Sequence, residues 1–157
     1  MGSTTVRRFA VSVTLAAMLA SGAAMSQGQP SKAEQALKYR KAVYQAIAWN
    51  FGPMAAMAQD KIPYDAAEFA MRAERVAALT PMLAESYVPE TRDLTGSKAK
   101  PEIWSQRSDF DSKMKDLVDR SATLAQVAKS GDGAKSKAAF IDTANACKAC
   151  HEKYRAD

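Results

Sequence analysis

Histidine is almost absent from this chain. Its 157 residues hold one, His151, and two cysteines, Cys147 and Cys150. A tetrahedral structural zinc site needs four ligands, and these three residues cannot supply them. No stretch shows the apolar/polar alternation of a half-buried strand. No basic patch carries interleaved aromatics, so nucleic acid is a poor partner. The longest apolar run, Phe9 to about Leu19, is too short for a stable membrane span, and nothing after it could cross a bilayer. Acidic residues are missing from positions 1–26, which read Arg7-Arg8, the apolar run, then small residues through Ser26. That is the order of a secretory signal peptide, with the cut expected near Ser26. The arginine pair fits a twin-arginine route poorly, so a Sec-type route is expected. Residues 27–157 then form one domain. They hold 20 basic and 17 acidic residues, a net +3, because the leader carries two arginines and no acid. The expected location is a bacterial periplasm.

What is present is Cys147-Lys148-Ala149-Cys150-His151. Cys-x-x-Cys-His is the attachment signature of a c-type haem. On a helix, residues three and four apart share a face, so both thiols can add to the haem vinyl groups while the imidazole reaches the iron. This predicts haem c held through Cys147 and Cys150, with His151 as the metal ligand. The competing readings are weaker. A redox Cys-x-x-Cys is expected near a βαβ pattern, and a disulfide across one turn closes too short a loop to stabilise much.

The remaining sequence reads as helices. The first runs from about Lys32 to Gln59, with Leu37, Tyr44, Ala48 and Phe51 on one stripe and Tyr39, Ala42, Ala46 and Trp49 on another. Two apolar faces need two things to bury against: one core and a partner subunit, or one large core. Gly52-Pro53 should kink or break this helix. Asp65 and Glu68 look like an N-cap and its capping-box partner for a second helix that bends at Pro81 and ends by Tyr87. A long loop follows, from Val88 to Lys100. A third helix is expected from Pro101 to Lys129, with Ile103, Phe110, Met114, Leu117 or Val118, and Leu124 inward. Ser130-Gly131-Asp132-Gly133 ends it, and a fourth helix carries the Cys-x-x-Cys-His motif. The fold class is all-α, an antiparallel four-helix bundle with the haem bound near the last helix.

With these residues in view the chain resembles the cytochrome c′ family, the class II c-type cytochromes. Cys147 to Arg155 matches the family's haem region. Tyr39-Arg40-Lys41, Phe51-Gly52, Pro63-Tyr64-Asp65-Ala66-Ala67 and Pro101-Glu102-Ile103-Trp104 are similar to other family segments. The resemblance implies a four-helix bundle, commonly a homodimer through the first two helices, and a five-coordinate iron that binds NO and often CO. It implies that Arg155 lies near the proximal face and that Arg40 contacts a haem propionate, for which a guanidinium fork is suited. Lys41 stands where many members have Gln. It can donate as a point charge or belong to a solvated face. Lys98, in the long loop, is a further candidate for the propionates.

Tyr44 is where the resemblance places the side chain that covers the distal side of the iron. Low-spin relatives of the cytochrome c-556 kind have Met there. No Met occurs between Ala33 and Phe51, and Met54 and Met57 lie beyond the Gly52-Pro53 step. Tyrosinate can ligate haem iron, but a phenol with a reference pKa near ~10 needs strong activation. Tyr44 therefore reads as a steric gate, with a plain core tyrosine as the alternative. The first functional expectation is a gas-binding protein that handles NO and CO. The second is a six-coordinate electron carrier with a redox partner protein. An enzyme is not expected, because peroxidase chemistry needs distal acid–base residues and the single His is used on the other side.

Overall fold

A computed structural model describes residues 1–2 and 29–157 of the chain. The expected leader and its cut near Ser26 lie outside the described residues. Five α-helices follow in order among the described residues: α1 Lys32–Ala58, α2 Ala66–Leu79, α3 Glu102–Ser105, α4 Arg107–Ala128 and α5 Gly133–Tyr154. The four long ones form an antiparallel four-helix bundle, in which α1 touches α2 and α5 while α4 touches α2 and α5. Single 3-10 turns at Thr80–Met82, Ala84–Ser86 and Pro89–Thr91 lead out of α2. No helix among the described residues is long and apolar enough to cross a membrane.

The helix ends follow local chemistry. Ser31 and Glu34 form a reciprocal capping box at the start of α1, with Glu34 N donating to Ser31 Oγ at 3.2 Å and Ser31 N to the Glu34 carboxylate at 2.7 Å. That box is not the expected one. At α2, Asp65 accepts from Glu68 N at 2.9 Å as an N-cap should, but the Glu68 carboxylate turns away to pair with Arg72 at 2.7 Å. Asp132 caps α5 by accepting from Lys135 N at 3.0 Å. Gly131 reverses the chain ahead of it with φ +72°, a conformation that favours glycine.

Two expectations about helix continuity are corrected. α1 runs unbroken through Gly52-Pro53 to Ala58. Proline removes the N–H that would bond the carbonyl four residues back. That carbonyl belongs to Trp49, and Arg72 from α2 donates to it at 3.2 Å. Glycine before the proline also has no Cβ for the ring to strike. The expected third helix, in contrast, is divided. Gln106, at φ −118° and ψ 44°, separates α3 from α4. Trp104 Nε1 donates to Val88 O at 3.2 Å and Arg107 Nη1 to Tyr87 O at 2.9 Å. The break thereby ties both sides of the step to the segment leaving α2.

The interior falls into two clusters. One holds Met54, Met57, Phe69, Ala73, Val76, Leu124, Ala125, Ala128 and Phe140. The other holds Val43, Leu83, Tyr87, Ile103, Phe110, Met114, Leu117, Ala146, Cys150 and Tyr154. All the α3 and α4 positions expected inward (Ile103, Phe110, Met114, Leu117, Leu124) are buried. A cavity of about 720 Å³ opens beside the second cluster. It explains why α1 and α5 make the thinnest of the helix–helix contacts around the bundle.

Candidate functional site

The cavity is bounded by α1, α4, α5, the turns after α2 and the loop before α3. From α1 come Leu37, Arg40, Lys41, Tyr44, Ala48 and Phe51. Spacings of three, four and seven put these on one helical face. The stripe read from the sequence as core therefore faces the cavity. From α5 come Cys147, Cys150 and His151, brought to the same cavity by the spacing that the motif predicts. Lys98 and Arg155 line it as well. All seven residues singled out from the sequence thus gather on one space, together with Lys98.

The α5 side is chemically quiet before any cofactor is attached. Burial pushes the Cys147 thiol up to about 11, with Cys150 beside it adding to the rise. Burial raises the Cys150 thiol too. Both are neutral thiols at neutral pH. Burial, then the nearby Arg155 cation, lowers the His151 pKa. The imidazole is neutral at pH 7 and so has a nitrogen lone pair for a metal. The helix end is held firmly: Tyr154 Oη and Lys153 Nζ both donate to the Asp109 carboxylate on α4, the latter at 2.9 Å. Just beyond, Arg155 pairs with Ala99 in an isolated antiparallel bridge. Lys100 N donates to Tyr154 O at 2.9 Å and Ala156 N to Lys98 O at 2.8 Å. These bonds place Arg155 and Lys98 together at the cavity rim.

The α1 side holds a buried cation. Arg40 is 4% exposed. Its Nη2 donates to Ser86 O and, at 2.7 Å, to Thr91 Oγ1, and its Nε donates to Ser86 Oγ at 3.2 Å. The guanidinium lies 3.8 Å from the centre of the Tyr87 ring, a cation–π distance. Nη1 is buried with no partner among the described residues. An orphaned, charged donor in the cavity wall costs free energy unless an acceptor arrives. Lys41 is exposed on the same helix, with Nζ 3.5 Å from where a Cβ on Gly96 would stand.

Tyr44 is half-buried, and its hydroxyl lies 3.0 Å from that of Tyr87. Burial first, then Tyr87, drives the Tyr44 pKa far above the usual phenol range. It is a phenol, not a phenolate. Met54 and Met57 belong to the other cluster and do not line the cavity. Met114 does line it. Tyr87 escaped the sequence reading, which placed it only at a helix end. So did Ser86 and Thr91, which fix Arg40. Ser86 and Thr91 sit in 3-10 turns and Tyr87 just after one, where no helical periodicity advertises a face, and they meet Arg40 from 46 to 51 positions away.

The fit to haem c follows from these observations. The volume is in the ~300–1,000 Å³ range of small-molecule and cofactor sites. Two neutral thiols and a neutral imidazole share its wall, and the lone Nη1 of Arg40 is a donor suited to a propionate carboxylate. Among the described residues no group of three or more His, Cys, Asp or Glu could hold a bare metal ion. The Cytochrome C' family profile matches residues 35–155. The chain belongs to the cytochrome c′ family. Its cofactor is haem c. Cytochrome c′ of Alcaligenes xylosoxydans xylosoxydans is 36% identical over 127 residues, spanning 81% of this chain and 98% of the relative. The structure of cytochrome c prime from Shewanella frigidimarina is 41% identical, with a TM-score of 0.78 over 82% of this chain and 99% of that one. A ferrous variant of cytochrome c prime from Alcaligenes xylosoxidans, solved with bound NO, is 34% identical, with a TM-score of 0.74 over 82% of this chain and 99% of that one.

Proposed function

We propose that this cytochrome c′ is an exported, non-enzymatic haem protein that binds diatomic gases, nitric oxide above all, and so buffers or traps NO. The observation that carries the reading is the state of Tyr44. Its hydroxyl is engaged by Tyr87 and its proton is held tightly, so α1 offers the iron a neutral, bulky phenol and no ligand. Bound, haem c supplies an iron that accepts a gas as ligand. Cys147 and Cys150 would anchor it, His151 would be its one protein ligand, and Arg40 would receive a propionate. Lys41 and Lys98 are the further cations at the rim, and Arg155 sets positive charge near the imidazole. The NO complex of the Alcaligenes relative supports the choice of gas. Residues 1–26 support export to a periplasm.

The electron-carrier reading has one observation in its favour, Met114, a thioether in the cavity wall. The absorption spectrum of the ferrous protein separates the two. A high-spin five-coordinate spectrum that changes with NO and CO is expected. A low-spin spectrum indifferent to CO would hand the site to a sixth protein ligand and to electron transfer with a redox partner protein.

The homodimer is part of the same proposal. Trp49 is 76% exposed and Tyr39 38%, on the face that also carries Ala42 and Ala46. Met71 on α2 and Met82 just after it are exposed too. Sedimentation with and without CO tests this face. A monomer in both conditions refutes the interface.

A further inference from the structure

The cavity wall contains a hydroxyl pair with one more proton than it has acceptors among the described residues. Tyr44 and Tyr87 have their hydroxyl oxygens 3.0 Å apart. One O–H fills the space between them. The other has no acceptor among the described residues, in a cavity whose wall also includes Ile47, Phe51, Leu83 and Phe110. Arg40 lies against one of the two phenols, the Tyr87 ring. Its guanidinium is fixed by Ser86 and Thr91 and lies 3.8 Å from the centre of the Tyr87 ring. A fixed cation over a phenol favours loss of its proton and makes it the better donor. Burial raises both phenols and Arg40 opposes that rise in each, but the hydrogen bond between them opposes it in Tyr87 and adds to it in Tyr44.

We infer that Tyr87 is a positioning residue for ligand discrimination: it donates to the Tyr44 oxygen and leaves the Tyr44 O–H to donate into the cavity. The ligands favoured are diatomics whose outer atom accepts a hydrogen bond, NO and dioxygen-like species, over CO. Hydrogen bonds in sequence polarise one another, so Arg40, Tyr87 and Tyr44 act as one chain. This rests on the gas-binding reading above. A single neutral hydrogen bond corresponds to roughly a two- to tenfold preference.

The test uses the haem-loaded ferrous protein with CO as the probe, reading the C–O stretching frequency in wild type, Tyr44→Phe, Tyr87→Phe and the double variant. NO dissociation rates are measured alongside. Phe keeps the ring at position 87 edge-on to Phe110, whose centre lies 4.8 Å away. Both single variants should raise the frequency, Tyr44→Phe more, and the double should match Tyr44→Phe alone. NO should leave Tyr87→Phe two- to tenfold faster. An unchanged frequency in Tyr87→Phe overturns the inference. So does a lowered one, which would mean that Tyr87 sequesters the Tyr44 proton. In either case the CO adduct has still formed, and gas binding stands. No adduct in wild type removes the gas-binding reading itself.

Discussion

The two halves of this bundle are built from the same kinds of residue and reach different ends. In the half away from the haem motif, Phe51 stacks on Phe140 at 4.3 Å, Phe69 meets Phe140 edge-on at 6.3 Å and Tyr64 tilts on Phe69 at 5.3 Å. Met54, Met57, Phe69 and Leu124 are 1% exposed or less. Each such side chain contributes about 1.5–3 kcal/mol by leaving water. The other half is equally apolar, but its side chains stand around a cavity of about 720 Å³. Val76 belongs to the packed cluster and also lines the cavity, so the two halves share a boundary. There Thr80 and Ser121 exchange a hydrogen bond at 2.7 Å, and Thr143 donates to Ala139 O at 2.9 Å. Their polar groups are satisfied without the cofactor. One half completes itself with protein atoms, and the other leaves a planar group to complete it.

Removal of the anchor should have the largest effect. Cys147→Ala with Cys150→Ala should abolish covalent haem entirely, read as haem lost from the polypeptide on acid denaturation. The half around Phe69 should keep its protection in hydrogen exchange, while amides around the cavity lose theirs. Equal loss in both halves would show that they fold as one unit. The converse variant is Phe69→Ala. It should lower stability by about 3–5 kcal/mol in urea unfolding and leave the ferrous CO spectrum unchanged. A shifted spectrum would mean that the packed half sets the geometry of the open one.

The smallest effect concerns Asp109, which ties the end of α5 to α4. The Tyr154 hydrogen bond first, then Lys153, holds its carboxyl below the usual range. A depressed carboxyl contributes stability above its unfolded pKa, and that contribution is lost as pH falls through the lower folded value. Asp109→Asn should therefore reduce the stability at neutral pH slightly and flatten the fall in stability below about pH 4. An unaltered acid limb would remove Asp109 from the support of the haem helix. Its exposure limits the size of the effect.

How much could be read beforehand differs residue by residue. Cys147, Cys150 and His151 are local, and helical spacing alone puts them on one face. Arg40, Lys41 and Tyr44 are also within a turn or two of one another, and the α1 periodicity carries them to one wall. Pro53 reads as an interruption because its remedy, Arg72 on the Trp49 carbonyl, lies on another helix. Gln106 reads as mid-helix because the pull of Val88 and Tyr87 on its neighbours is not visible in a window of fifteen residues.

Sequence by itself determined the helical class, the attachment chemistry and the family, because each depends on side chains a few positions apart on a regular backbone. Tertiary structure alone decided what Tyr44 faces. Its partner Tyr87 is 43 positions away in an irregular segment, and Arg40 stacks on that ring only once α1 and the turns after α2 have packed. Burial then fixes the protonation of both phenols, and burial is a property of the assembled interior, which no local window of residues contains.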